Sequence, residues 1–138
     1  MDIPNCFYRV SIKALVLNEE RNKFLITKES NGKWELPGGG LDWGTTPHED
    51  LPREIKEEMG LEVAWIAEHP SYFLALERET KELHIVNVLY ETKLANLDFT
   101  PTDECVEIKF VDMADIKDMP VFSNVRELAK QFDPKRHA

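Results

Sequence analysis

Two cysteines in 138 residues, Cys6 and Cys105, are too few and too far apart to staple a fold. That excludes a disulfide framework and a zinc motif, and makes a reducing cytoplasm the expected setting. Each cysteine is read as a small buried apolar residue. Basic residues are also in deficit, with 17 Lys and Arg against 26 Asp and Glu and a formal net charge of −9. Such a balance argues against binding a nucleic-acid polymer through its backbone, which needs cations to release counterions. It does not argue against a phosphorylated small molecule, because carboxylates that hold divalent cations present a locally positive site. No apolar run approaches twenty residues, so no membrane span is expected. The start, Met1-Asp2-Ile3-Pro4, lacks a basic stretch leading into an apolar one, so no signal peptide is expected either.

What is present reads as an ordinary soluble globular protein, 42% hydrophobic and 31% charged. The length suits one domain, residues 1–138, able to bury a core without staples. From Phe7 to Leu17 the residues alternate, with Tyr8, Val10, Ile12, Ala14 and Val16 on one face and Arg9, Ser11 and Lys13 on the other. That is a strand. A polar turn over Asn18 to Asn22 and a second strand over Lys23 to Lys28 predict a hairpin. Further strands are expected over Glu62 to Glu68, Tyr72 to Glu77, Leu83 to Thr92 and Val106 to Val111, with a turn at Arg78 to Lys81 joining two of them. A helix opens at Ser123 or Asn124 and runs to about Gln131, and the tail from Asp133 is expected to fray. The order predicts an α/β (α+β) fold, a mixed β-sheet sandwiched between helices.

The strongest local signals surround one helix. Thr46 can cap, Pro47 suits the first helical position, and Glu49 completes a capping box. Gly60 is the left-handed stop, and Leu51, Ile55 and Met59 form the core-facing stripe. At about 100° per residue, Glu54, Glu57 and Glu58 share one face. Alone, that trio is either a solvated helix surface or a face built around a hard cation such as Mg²⁺, Mn²⁺ or Ca²⁺. Immediately upstream, the three glycines of Pro37-Gly38-Gly39-Gly40 are not expected to be ordinary helix or strand interior; they mark a backbone that bends sharply or approaches something closely.

From Gly39 through Arg53-Glu54-Ile55-Lys56-Glu57-Glu58-Met59-Gly60-Leu61, the chain resembles the Nudix box, G-x5-E-x7-R-E-U-x-E-E-x-G-U with U apolar. Arg53, Glu54, Ile55, Glu57, Glu58, Gly60 and Leu61 match in register, and Trp34 to Gly39 is also typical of the family. Two positions depart from the pattern. Thr45 stands where the family has its first box glutamate, which sits beside the arginine, and Pro52 lies inside the helix, where it should distort the first turns.

The resemblance implies a MutT-like, metal-dependent pyrophosphohydrolase. Its substrate class is a nucleoside diphosphate linked to another moiety, such as a (d)NTP or modified nucleotide. Mg²⁺ or Mn²⁺ would be held by Glu54, Glu57, Glu58 and the Gly38 carbonyl, with Arg53 orienting the glutamates. Glu104, or its neighbour Glu107, is the candidate general base; the alternative is a solvated strand-edge charge. Asn124 resembles a base-contacting asparagine, but with Glu127 it also makes a helix cap, the favoured reading. Phe73, Leu76, Trp34 and Phe122 are a base-stacking wall or simply core. Lys28 either contacts a phosphate or ends a strand. His48, His69, His84 and His137 show no ligand spacing and take no role. Homodimers are frequent in the family, although no residue here identifies an interface. The rival reading is a Nudix-fold module that senses a nucleotide without cleaving it, motivated by Thr45 and Pro52. A calcium buffer is remote because no EF-hand loop is present.

Overall fold

The computed structural model describes residue 2, residues 4–77 and residues 83–138. One sheet contains β1 (Arg9–Leu15), β4 (Gly38–Gly40), β5 (Val63–Ile66), β6 (Tyr72–Glu77) and β7 (His84–Leu94). A second contains β2 (Phe24–Lys28), β3 (Trp34–Glu35) and β8 (Glu107–Val111). The first sheet is mixed: β1 runs parallel to β7 and antiparallel to β4, while β5 and β6 both pair antiparallel with β7. Helix α1 (Pro47–Met59) packs on β4, β1 and β5, and helix α2 (Ser123–Gln131) packs on β6 and β3. The expected mixed α+β architecture is present.

Alternation along β1 explains why both faces of the large sheet are covered. Ile12, Ala14 and Val16 join Leu51, Ile55 and Met59 of α1 in one core cluster. Leu15 joins Leu74, Leu89, Val125 and Leu128 in the other. The three α1 residues are fully buried, and each contributes about 1.5–3 kcal/mol by leaving water. The ends of α1 follow their local signals. The Thr46 hydroxyl oxygen accepts from Glu49 N–H at 3.3 Å, and Gly60 closes the helix at φ 68°. The Glu49 carboxylate bonds the Thr46 hydroxyl at 2.9 Å. The helix runs unbroken through Pro52.

Four expectations are corrected. Gly38–Gly40, not expected in a strand, forms β4 because its close approach to β1 is itself a ladder pairing. The β1–β2 hairpin begins as one, with Asn18 N–H donating to the Lys23 carbonyl and Leu17 bridging Phe24. The strands then part into different sheets, because β1 takes β7 and β4 as partners and β2 takes β8 and β3. Cys6 is exposed, while Cys105 is buried as expected. The C-terminal tail is docked rather than frayed. Pro134–His137 forms a 3₁₀ turn, and His137 is buried between Tyr72 and Glu91. The Tyr72 hydroxyl lies 2.9 Å from His137 Nε2, and Glu91 Oε1 lies 3.0 Å from Nδ1. Asp133 N–H donates to the same Tyr72 oxygen at 3.1 Å. The turn at Arg78 to Lys81 falls outside the described residues, although β6 and β7 do pair as expected. Among the described residues no helix is long and apolar enough to cross a membrane.

A docked tail has a measurable consequence. His137→Ala removes one contact each from the Tyr72 hydroxyl, which keeps Asp133 N–H, and the half-buried Glu91 carboxylate, which keeps Arg21, and is expected to destabilise the fold by about 0.5–1.5 kcal/mol per contact. Urea unfolding followed by far-ultraviolet circular dichroism measures this, and a variant as stable as the parent would refute the docking.

Candidate active site

The site is organised by the backbone of the Pro-Gly segment. Ala14 N–H donates to the Pro37 carbonyl at 2.9 Å, and Gly38, Gly39 and Gly40 lie opposite Lys13, Ile12 and Ser11. Gly38 adopts φ 132°, and a β-carbon there would stand 2.1 Å from the Ile12 carbonyl oxygen, so no other residue fits. On its far side the segment meets α1. Gly38 N–H donates to Glu58 Oε1 at 2.8 Å, and a β-carbon on Gly39 would stand 2.5 Å from the Glu54 carboxyl carbon. Lys13 secures the near side: its Nζ donates to the Leu36 carbonyl at 3.2 Å and the Gly38 carbonyl at 3.4 Å, and pairs with Glu35 at 3.5 Å.

Glu54, Glu58 and Glu104 line one groove with Lys13, Thr27, Glu29, Glu35 and Gly38. Burial pushes the Glu58 carboxyl up to about 8, helped by the charges of Glu54 and Glu104 and opposed by Lys13 and the Gly38 N–H. Burial also raises Glu54, with Glu57 and Glu104 adding to the effect. Mutually repelling hard oxygen donors around a half-buried groove suit a divalent cation. Among the described residues, no three acidic, histidine or cysteine side chains close on a single point. Glu58 is engaged by Gly38, and Glu57 lies on the exposed flank, 3.2 Å from Arg53 Nη1. Arg53 also reaches Glu54 at 3.3 Å and Asp50 at 3.4 Å. Glu107 stays outside the groove on β8, 3.9 Å from Lys28.

A second cavity, of about 380 Å³, adjoins this groove and shares Lys13 and Glu35 with it. Its floor is the polar face of β1, Arg9 and Ser11 beside Lys13, together with Ile85 and Asn87 of β7. Phe122, Ser123 and Asn124 close it from the start of α2, and Leu76 from β6. The expected cap at Asn124 is not formed: Phe122 occupies the cap position without a side-chain hydrogen bond. Asn124 instead lies inside the first turn, buried, and donates through Nδ2 to Asn87 Oδ1 at 2.8 Å and to Glu35. Its Oδ1 is buried and has no hydrogen-bond partner among the described residues.

Of the expected stacking wall, Leu76 and Phe122 line the cavity and Trp34 belongs to the core. Phe73 is 64% exposed, because β6 turns Tyr72 and Leu74 inward and Phe73 outward. Lys28 lies over the Trp34 ring and lines neither space. No histidine lines either space. Sequence reasoning passed over Lys13, Glu35 and Asn87. The signal for Lys13 was the polar face of β1, which fronts a cavity here rather than bulk water.

The raised Glu58 carboxyl has a definite pH signature. Below its ordinary 4.5 it is protonated folded or unfolded and its stabilising contribution is complete; between there and about 8 the unfolded chain ionises first, and that stability is lost as pH rises. In EDTA, the melting temperature of the parent is expected to fall more steeply over this range than that of Glu58→Gln. Parallel profiles for the two proteins would contradict the buried, protonated Glu58.

A model of the NUDIX domain matches residues 7–132. An RNA pyrophosphohydrolase from a Nitratiruptor species is 30% identical over 148 residues, spanning 90% of this chain and 94% of that protein. A MutT-like protein from Streptomyces ambofaciens is 39% identical over 56 residues, which span 41% of this chain and only 36% of that protein. The crystal structure of a MutT protein from Methanosarcina mazei Go1 superposes with a TM-score of 0.76 at 23% identity, covering 99% of this chain and 100% of the other. That last likeness concerns the fold.

Proposed function

Since this chain belongs to the NUDIX domain family and is a hydrolase of phosphorus-containing acid anhydrides, we propose that it cleaves the diphosphate of a small nucleotide, a (d)NTP or a modified nucleotide. One observation carries the reading: the carboxylate groove and the polar cavity meet at Lys13 and Glu35. A molecule with a base in the cavity would lay its phosphates toward Glu54, Glu58 and Glu104. The Asn124 carbonyl oxygen, buried and without a partner among the described residues, is suited to accept from a donor on that base. Phe122 and Leu76 offer apolar contact to the ring.

Mg²⁺ or Mn²⁺ would be held by Glu54, Glu57, Glu58 and the Gly38 carbonyl, and when bound would polarise phosphoryl oxygens and acidify the attacking water. Arg53 would hold Glu54 and Glu57 on their shared face through charge-assisted hydrogen bonds. Glu104 is the general base of this scheme, because it enters the groove while Glu107 stays outside. The free cysteines suit a reducing, cytoplasmic setting. The likeness to an RNA pyrophosphohydrolase raises RNA as a second substrate. A net charge of −9 favours the mononucleotide, which makes no extended backbone contact.

The test is turnover of a panel with Mg²⁺ or Mn²⁺ in ¹⁸O-labelled water. The panel comprises NTPs, dNTPs, oxidised dNTPs, nucleoside diphosphate sugars and 5′-triphosphorylated RNA. Pyrophosphate or phosphate release from a nucleotide is expected, and Glu57→Gln and Glu58→Gln should each reduce it to background. Glu104→Gln should lower kcat by about 10²-fold or more, as loss of a general base does. Asn124→Ala should raise KM about tenfold, one lost hydrogen bond. Unchanged turnover in both glutamate variants would sink the metal assignment, and tight nucleotide binding without any product would favour the sensing module.

A further inference from the structure

Of the three carboxylates paired with Arg53, the most deeply buried, Asp50, is outside the glutamate trio. Asp50 stands in the first turn of α1 and is 3% exposed. The Thr45 hydroxyl donates to its Oδ2 at 2.8 Å, and Arg53 Nη2 reaches its Oδ1 at 3.4 Å. These two contacts hold the Asp50 carboxyl below its ordinary range, the Thr45 hydrogen bond contributing most. A carboxylate removed from water is stable only where donors and a cation meet it, and both do so here.

Arg53 is half exposed on a long stem, and its remaining partners, Glu54 and Glu57, include one that is itself exposed. Exposed pairs of that kind hold a side chain loosely. The buried partner is the fixed point. We infer that Asp50 is a positioning residue, the carboxylate that anchors Arg53 and through it sets the geometry of the glutamate face. Thr45 completes the anchor by orienting Asp50. This inference rests on the reading of that face as the working site.

The geometry also accounts for Thr45 at the position where the box carries glutamate. Its hydroxyl lies within hydrogen-bond distance of the Asp50 carboxylate, so a carboxylate borne by residue 45 would reach the same place beside Arg53. In this chain the negative charge comes from α1 itself, and residue 45 supplies the donor. A contrasting role for Asp50 is stabilisation of the helix alone, since an acid in a first turn is favoured by the helix dipole.

The two roles separate in a test on the full chain with Asp50→Asn, Asp50→Ala and the double variant T45E/D50A. The readouts are nucleotide turnover, Mn²⁺ affinity by calorimetry, melting temperature, and the ¹⁵N signals of the Arg53 guanidinium, assigned with Arg53→Lys. Asp50→Asn is expected to lower kcat about 10–100-fold, the scale of an outer-shell partner, and to weaken Mn²⁺ binding. At saturating Mn²⁺, KM should stay within about twofold, because the loss is of site geometry rather than of substrate contact. The Arg53 signals should broaden or shift toward those of a free guanidinium. T45E/D50A should recover turnover, Mn²⁺ affinity and the Arg53 signals relative to Asp50→Ala. The inference is overturned by an Asp50→Asn protein with parental Arg53 signals. A double variant no better than Asp50→Ala, or losses that only track melting temperature, would overturn it equally. Should the parent hydrolyse nothing on the panel, the hydrolase reading fails, while the Arg53 signals and their rescue still judge Asp50.

Discussion

Everything in the site depends on how closely a strand of three glycines is pressed between β1 and α1. Glycine gains nothing from side-chain packing in a strand and loses the most backbone freedom on ordering. Its compensation here is contact on both sides. Gly38 lies so near the backbone of Ile12 that a β-carbon has no room, and its N–H is bound by Glu58 from the helix. Lys13 grips the carbonyls of Leu36 and Gly38 from below. A lysine from the strand and a glutamate from the helix are thereby fastened to one short backbone segment.

That approach determines the chemistry available on either side. Because α1 must lie against β4, Glu58 is carried into a desolvated position and Glu54 comes to rest on Gly39. The face of β1 opposite α1 changes character along its length. Leu15 is core, Lys13 joins the two spaces, and Ser11 and Arg9 floor the cavity. One strand is therefore core at one end and cavity lining at the other, without any break in its alternation.

The limits of α1 were legible because their causes are local: a cap at Thr46, Pro47 in the first turn and Gly60 just past the end. Six strands were legible as elements for the same reason, while β3 and β4 were not; of the pairings, only that of β6 with β7 was legible. An alternating strand has one pattern whichever neighbour it takes, so the parting of β1 and β2 could not be seen. Asn124 is a good cap residue by local rules, and Asn87 and Glu35, far away in sequence, draw it into the cavity. His137 looked like the end of a frayed tail because Tyr72 and Glu91, its partners, lie 65 and 46 residues away. The glutamate face was recognisable through its register with the box. Asp50 was not, being one more acid in a first turn until its burial is known.

The distribution of charge gives the acidic composition a physical sense. Among the described residues that line the cavity, both cations are engaged, Lys13 with Glu35 and two carbonyls, Arg9 with Asp42 and the Leu41 carbonyl. Neither leaves a bare positive charge for an anion, and Glu54, Glu58 and Glu104 border the groove beyond. A phosphate chain entering such a space would be repelled unless divalent cations offset the carboxylates. On the reading proposed above, affinity for phosphate is therefore conditional on the cation, whereas the neutral amides of Asn87 and Asn124 can contact a base whether or not a cation is bound. The site then separates its two tasks, with recognition in the polar cavity and anion binding in the carboxylate groove. Lys13 and Glu35 hold the two at a fixed distance.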